Sequence, residues 1–138
     1  MIKTKTFKLK TKGETDIIDI TGKAEKALEE SGLKDGLFTV FIPGATGGIT
    51  TVEYEPGLVS DLKGGFERLA PRKGQYAHNT KWGDGNGFSH VRASMLGPSL
   101  SVPFSGAKLT LGTWQQIVFI DFDNRPRTRE IIFQMIGE

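Results

Sequence analysis

Two histidines and several amide and carboxylate side chains lie within one short stretch of this chain. His78 and Asn79 come first, and Asp84, Asn86 and His90 follow within a span of thirteen residues. Neutral imidazoles and carboxylates are common ligands of first-row metals, and the same groups serve as general acids and bases. Because the spacing matches no standard metal motif, spacing alone favours an exposed loop histidine and a strand-edge histidine that never meet.

A glycine-rich turn and two carboxylates form a second candidate region. The stretch 44–48 follows a predicted buried strand. Its backbone N–H groups are able to surround an anion, although a tight turn or bulge is the favoured interpretation. Glu53 and Glu55 flank Tyr54, so both carboxylates would share one face of a strand. A single solvated face explains that pattern equally well.

Glutamines and arginines near the C-terminus complete the set of candidate residues. Gln115 and Gln116 lie in a predicted hydrophobic strand, where a buried amide needs hydrogen-bond partners. A polar pocket, a subunit interface or a neighbouring loop clamped by the amide would supply them. Arg125, Arg127 and Arg129 alternate, so on a strand they project from one face. Guanidinium forks fit phosphate oxygens, but a solvated strand edge is the favoured interpretation.

The composition excludes several kinds of site. The chain has 138 residues, 37% of them apolar and 25% charged, which fits one globular domain over residues 1–138. It has no Cys, so disulfides, iron–sulfur clusters and thiol nucleophiles are excluded, and any metal must be bound by His and oxygen ligands. No apolar run is long enough to span a bilayer and no signal-peptide core is visible, so we expect a cytoplasmic protein with no membrane partner. The net charge of +2 is low for a nucleic-acid-binding protein, and no nucleic acid is expected as a partner.

Strands outnumber helices in the predicted order of elements. Strands are predicted at residues 3–9, 15–20, 37–42, 49–54, 91–95, 100–103, 108–121 and 130–135, with a hairpin turn at 105–106. Helices are predicted at 22–31 and between Pro56 and Pro71. The polar stretch 72–89 is predicted as a long loop, which in a compact domain is usually functional or disordered. This order predicts an α+β fold with an antiparallel sheet or β-sandwich and helices on one side.

Several strings of residues, taken in order, resemble one family. The most specific are Leu96-Gly-Pro-Ser99 and Leu111-Gly-Thr-Trp-Gln-Gln116, which follow the segments that hold His78 and His90. A looser match runs through Ile42-Pro-Gly-Ala-Thr46. Over nearly its whole length the chain resembles the YjbQ family, also known as UPF0047 and as secondary thiamine-phosphate synthases.

The resemblance implies a fold, an assembly and an activity. The implied fold is a single-domain β-sandwich of mainly antiparallel strands with two main helices, assembled as a homotrimer. Some members join hydroxymethylpyrimidine pyrophosphate to thiazole phosphate in a side reaction that releases pyrophosphate. A small transferase that binds a small phosphorylated ligand is therefore the function that the resemblance implies.

The resemblance also implies roles for particular residues. His78 and His90 would be the general acid–base or metal-ligand pair, and Asp84 and Asn86 would position the loop or complete the shell. Because 91–95 is predicted as a strand, Arg92 and Ser94 would lie beyond His90 on its side of that strand. The implied substrate-binding residues are Asn79, Arg92, Ser94, Gln115, Gln116, Arg127 and Arg129.

The chain departs from the family pattern at Gly44, where members commonly carry a His. The usual three imidazoles are thereby reduced to His78 and His90. Water or Glu53 would have to complete a weaker shell for a divalent metal, Zn²⁺ or Mg²⁺. The alternative function is therefore a non-catalytic, trimeric ligand-binding or structural protein with a degenerated site.

Overall fold

Two antiparallel sheets face each other across the core in the computed structural model, which describes residues 1–138. The strands are β1 (Ile2–Thr11), β2 (Asp16–Asp19), β3 (Gly36–Phe41), β4 (Gly47–Val52), β5 (Ser99–Ser105), β6 (Lys108–Leu109), β7 (Gln116–Asp121) and β8 (Arg127–Gly137). The helices are α1 (Thr21–Ser31), α2 (Pro56–Leu69), α3 (Ala77–Trp82) and α4 (Gly87–Leu96). None of these helices has the length and hydropathy needed to cross a membrane.

The larger sheet has five strands in the order β1-β8-β3-β5-β6. β1 and β8 pair along their whole lengths, so the two ends of the chain lie side by side. Alternate residues of the sheet, such as Phe38 and Phe133, enter the main core and are almost fully buried. α1 adds Ala24, Ala27 and Leu28 to the same core, because these three residues share one face at helical spacing.

The smaller sheet has the order β2-β7-β4, and its central strand is buried on both faces. Ile117 and Phe119 enter the main core, whereas Val118 and Ile120 contact side chains of α2 and α4, including Ala93. Burial on both faces explains why β7 reads as a continuous apolar run. α4, which carries His90, is therefore fixed against the outside of the smaller sheet.

The predicted α+β class and the antiparallel sheets are confirmed, but the region 72–96 differs from its prediction. The predicted loop 72–89 contains α3 and the start of α4, and the predicted strand 91–95 is the second half of α4. Short apolar runs do not distinguish helix from strand. Here the buried residues follow helical spacing, namely Phe88, Ser89, Arg92 and Ala93. Their packing against the smaller sheet stabilises the helix.

Two other predictions about strands are wrong. The predicted strand 108–121 is broken into β6 and β7 by a turn, in which the Gly112 N–H donates to the Gln115 side chain. Glu53 and Glu55 do not share a strand face, because β4 ends at Val52. The Glu55 carboxylate instead caps α2 by accepting from the Gly57 and Leu58 N–H groups. The predicted hairpin turn at 105–106 lies one residue further on, because Ser105 ends β5 and pairs with Lys108.

Candidate functional site

His78 and His90 meet in the folded chain. His78 lies on α3 and His90 on the first turns of α4, and their ring centroids are 4.4 Å apart with the ring planes 39° apart. The interpretation in which the two histidines never meet is therefore wrong. Its error follows from the region between them, which folds into two short helices joined by a tight turn instead of one extended loop.

The amide and carboxylate residues between the histidines hold the two helices together. Asn79 Oδ1 accepts a hydrogen bond of 2.8 Å from the Gly87 N–H and so caps α4. Gly87 permits this approach, because a Cβ there would lie 2.5 Å from the Cβ of Tyr76. Asp84 Oδ1 lies 3.4 Å from His78 Nδ1 and accepts from the Asn86 N–H at 3.2 Å. The Asp84 carboxylate thus lies beside the imidazole of His78, although His78 Nδ1 makes no hydrogen bond.

Asn86 links the histidine helices to a group of buried charges. Its side chain is 6% exposed, and its Nδ2 donates to Asp123 Oδ2 at 3.4 Å. Its Oδ1 accepts from the Ser89 hydroxyl and from the Asn124 N–H. Every polar atom of this amide is used inside the protein, so Asn86 positions α4 against the turn after β7.

Two carboxylates and two guanidiniums form that group of charges. Asp121 and Asp123 are essentially buried, and Arg129 binds Asp121 through Nε at 2.8 Å and Nη2 at 2.9 Å. Arg127 Nη2 lies 3.0 Å from Asp123 Oδ2. The interpretation of the arginines as a solvated strand edge is wrong for Arg127 and Arg129, because both guanidiniums pair with buried carboxylates. Arg125 precedes β8 and is exposed.

The hydrogen bonds in this group favour the charged forms. Burial raises the pKa of the Asp123 carboxyl, but hydrogen bonds from Arg127 and Thr46 outweigh it and hold that pKa below its ordinary value of 3.8. The hydrogen bonds to Asp121 raise the pKa of the Arg129 guanidinium, so it stays charged. The sequence signal for this group was the pair of acidic residues around Phe122 at the end of a buried strand, since buried charges need partners.

An open cleft lies beside His90. It is bounded by the turn between β3 and β4 on one side and by α4 on the other. Its lining residues are Gly44, Ala45, Gly47, His90, Ala93, Ser94 and Pro98. A Cβ placed on Gly44 would lie 3.2 Å from Arg129 Nη1, so the guanidinium reaches the wall of this cleft. Three features that the sequence treated separately, Gly44, His90 and Arg129, are therefore neighbours.

The side chains around the histidines do not form a metal site. No group of three or more His, Asp or Glu residues lies close enough together to hold a metal ion. The predicted set of His78, His90 and Glu53 is not assembled, and Glu53 is exposed after the end of β4. Two imidazoles alone make a weak site for Zn²⁺, which takes three or four protein ligands, and Mg²⁺ prefers oxygen ligands. The donors present do not fit the expected metal.

Arg92 and Ser94 lie on different faces of α4. Ser94 follows His90 by one helical turn and lines the cleft with it. Arg92 is 4% exposed and points away, and its guanidinium donates to the Ala70 carbonyl, Thr15 Oγ1 and Glu67 Oε2. The expectation that both lie on a strand on the side of His90 is therefore wrong, because 91–95 is helical.

Gln115 lies on the turn before β7 and Gln116 is the first residue of β7, and neither lines the cleft beside His90. Gln115 Nε2 donates to Thr51 Oγ1 at 3.2 Å, and Gln116 Oε1 accepts from the Tyr54 N–H at 2.8 Å. These contacts join the turn before β7 and the first residue of β7 to β4 and the residues after it. Of the interpretations offered by the sequence, the structure matches an amide that clamps a neighbouring loop.

Comparisons with known proteins agree with this fold. A family model described as UPF0047 protein YjbQ-like matches residues 5–138. A UPF0047 protein of Archaeoglobus fulgidus is 40% identical over 128 residues, which cover 93% of this chain and 97% of the relative. One of Methanothermobacter thermautotrophicus is 37% identical, with 98% of this chain and 92% of the relative covered.

Solved structures show the same architecture. A hypothetical protein from Aeropyrum pernix superposes with a TM-score of 0.92 at 33% identity over 99% of both chains. A YbjQ-like protein of unknown function from Sulfolobus solfataricus superposes with a TM-score of 0.90 at 28% identity over the whole of both chains. The two-sheet fold described above is thus shared along the entire chain.

Proposed function

The chain belongs to the family of UPF0047 proteins that are YjbQ-like, and we propose that it is a small transferase acting on phosphorylated heterocycles. The proposed reaction joins hydroxymethylpyrimidine pyrophosphate to thiazole phosphate and releases pyrophosphate, as a main or a side activity. The observation that carries the proposal is the contact of the His78 and His90 rings beside a cleft that Arg129 reaches. The proposal includes a homotrimer that acts in the cytoplasm without nucleic-acid or membrane partners.

The reaction needs stabilisation of the leaving group more than activation of the nucleophile. The thiazole nitrogen forms a C–N bond to the methylene carbon of the pyrimidine. The C–O bond to pyrophosphate breaks, and its electron pair leaves on the pyrophosphate oxygen. The attacking nitrogen carries no proton, so it requires no general base. Negative charge develops on the departing pyrophosphate, and oriented N–H donors stabilise it most effectively.

The residues near the cleft have the matching chemistry. His90 lines the cleft and, when protonated, donates an N–H to the leaving oxygen, while His78 packs against its ring. Asp84 places a carboxylate oxygen 3.4 Å from His78 Nδ1. Arg129 supplies a fixed positive charge that Asp121 holds in place. None of these roles requires a protein-bound metal.

One observation favours the alternative of a non-catalytic, trimeric ligand-binding or structural protein. Where related proteins are expected to carry a third histidine, this chain has Gly44, and no group of three metal-binding side chains is present. If the family reaction depends on a three-histidine metal site, then this chain keeps the fold and has lost the reaction.

The test is formation of thiamine phosphate by the purified protein from the two substrates, with and without Mg²⁺. Wild type is expected to form product, and His90→Ala and His78→Ala are each expected to lose about 100-fold or more of the rate. Lys81→Ala, on the exposed side of α3, is the matched control and is expected to retain activity. Absence of product from wild type would favour the non-catalytic alternative, and full activity in both histidine variants would move the site elsewhere.

A further inference from the structure

The cleft beside His90 has the composition of a small anion site. Its walls are small residues, the histidine ring and the Ser94 hydroxyl, and no carboxylate lines it. Backbone atoms of the turn after β3 form one side, and the exposed edge of α4 forms the other. A ligand in this space meets N–H and O–H donors and apolar atoms, and no fixed negative charge among the lining residues.

Arg129 brings an oriented donor to this cleft. Its Nε and Nη2 bind both oxygens of Asp121, and Nη2 also donates to Thr46 Oγ1 at 2.6 Å. Nη1 has no hydrogen-bond partner in the protein, and it is the atom that lies 3.2 Å from the Cβ position of Gly44. The side chain is only 11% exposed. Three fixed contacts therefore hold the guanidinium so that its one unused nitrogen faces the cleft wall.

Gly44 keeps that nitrogen accessible. Its φ of +156° is a conformation that residues with a side chain rarely adopt. A side chain at this position would also fill the space directly in front of Arg129 Nη1. The glycine thus leaves room for ligand atoms in contact with the guanidinium. The imidazole that the family resemblance leads us to expect at this position would occupy the space beside Arg129 Nη1.

The balance of charge shapes what the cleft accepts. Asp121 and Asp123 offset the charges of Arg127 and Arg129, so the group as a whole is neutral. Attraction for an anion therefore comes from the Nη1 N–H groups of Arg129, from the Ser94 hydroxyl and from a ring N–H of His90. Donors that converge from several sides suit a compact tetrahedral oxyanion better than a planar or extended ligand.

We propose that this cleft is an oxyanion subsite that binds a phosphate group between Arg129 Nη1, His90 and Ser94. The identity of that group as part of a pyrophosphate substrate rests on the proposed function. The binding of phosphate itself rests only on the cleft and the guanidinium. In this subsite Gly44 has a function of its own, because the absence of a side chain there leaves Arg129 Nη1 accessible to the ligand.

The test is calorimetric titration of the full-length protein with inorganic phosphate at constant ionic strength. Wild type is expected to bind one phosphate per chain, and Ser94→Glu is expected to weaken that binding by about tenfold or more, because it places a carboxylate in the cleft. Ser60→Glu makes the same change of charge on the exposed side of α2 and is expected to bind like wild type. Ala45→Asp, on the opposite wall, is a second variant on an exposed turn and is expected to behave like Ser94→Glu.

The outcomes separate this subsite from the proposed reaction. Phosphate binding that weakens in Ser94→Glu and Ala45→Asp but not in Ser60→Glu supports the subsite, whether or not thiamine phosphate is formed. Failure of wild type to bind phosphate would overturn it, and so would equal binding by all four proteins. Formation of thiamine phosphate by a protein that does not bind phosphate in the cleft would support the proposed reaction and overturn the subsite.

Discussion

Arg92 and Arg129 are both largely buried arginines held in ion pairs, but the structure uses them differently. Every nitrogen of the Arg92 guanidinium has a protein partner: the Ala70 carbonyl, Thr15 Oγ1 and Glu67 Oε2. Arg129 binds Asp121 and Thr46 through two nitrogens, and its Nη1 has no protein partner and lies beside Gly44 in the wall of the cleft. Burial and charge therefore do not identify the arginine that binds a ligand. The unused donor does.

The surroundings of the two arginines differ in the same way. Arg92 joins the end of α2 to α4, and its guanidinium lies 4.9 Å from the centre of the Phe88 ring. Its contacts are those of a side chain that fastens two helices. Arg129 instead joins the turn after β3, through Thr46, to the end of β7, through Asp121. A guanidinium at such a junction is able to serve both packing and ligand binding.

The strongest way to test the Arg129 side of the comparison is to remove its partner. Asp121→Asn keeps the volume but deprives a buried guanidinium of its carboxylate, and Asp121 also accepts from Thr11. We expect the free energy of unfolding to fall by about 3–5 kcal/mol, because an uncompensated buried charge remains. Urea unfolding measures this loss. A loss below about 1 kcal/mol would show that Arg129 is not held by this pair.

Removal of Arg92 tests the opposite role. Arg92→Ala leaves the Ala70 carbonyl and the Thr15 hydroxyl without their donor and opens space beside Phe88. We expect a loss of about 2–3 kcal/mol in urea unfolding, smaller than that of Asp121→Asn because Glu67 remains half exposed. The phosphate affinity of the folded fraction is expected to be unchanged. A folded Arg92→Ala variant that no longer bound phosphate would contradict the conclusion that Arg92 only fastens two helices.

Gly44→His tests whether the space in front of Arg129 Nη1 must stay open. The φ of +156° makes any side chain strained at this position, and the new Cβ would lie 3.2 Å from Arg129 Nη1. We expect a loss of about 1–3 kcal/mol in thermal or urea unfolding from this strain. Phosphate binding is expected to weaken, because the imidazole fills the space in front of the guanidinium. A gain of thiamine-phosphate synthesis would instead show that the third imidazole matters more than access to Arg129.

The acid stability of the protein gives a smaller effect. The pKa of Asp123 is held below 3.8 in the folded state, so the unfolded state takes up the proton first as the pH falls. The stabilisation is complete above the ordinary carboxyl range and is lost as the pH falls through the folded pKa. Asp123→Asn is expected to remove this part of the pH dependence. The measurement is urea unfolding from about pH 5 to about pH 2, a window that brackets the ordinary carboxyl pKa range. An unchanged pH profile would show that the contacts of Asp123 do not favour its charged form.

Much of the fold was accessible from the sequence, because its signals are local. The strand patterns at 3–9, 37–42 and 130–135 and the helical pattern at 22–31 predicted elements whose ends differ from the observed ones by a few residues. The helix predicted at 22–31 ends at Ser31, where Gly32 caps it with φ of +74°. The family resemblance is confirmed by the match over residues 5–138.

The site was less accessible, because its geometry depends on tertiary contacts. The spacing of His78 and His90 could not show that they meet, since their contact depends on the Asn79 cap and on the close approach that Gly87 allows. α4 was misread as a strand because its few apolar residues fit either period. The unused nitrogen of Arg129 leaves no sequence signal at all, since it depends on where Asp121 and Thr46 hold the guanidinium.

The most direct test of the central claim compares Arg129→Lys with Arg92→Lys in the thiamine-phosphate assay, at a temperature where both are folded. Each change keeps the positive charge but replaces the planar guanidinium, with its five N–H donors, by an ammonium group with three. We predict that Arg129→Lys lowers the rate by about 100-fold, because it removes an oriented donor to the leaving group, while Arg92→Lys stays close to wild type. Equal losses in the two variants, or a larger loss in Arg92→Lys, would contradict the placement of the reaction at the cleft beside His90.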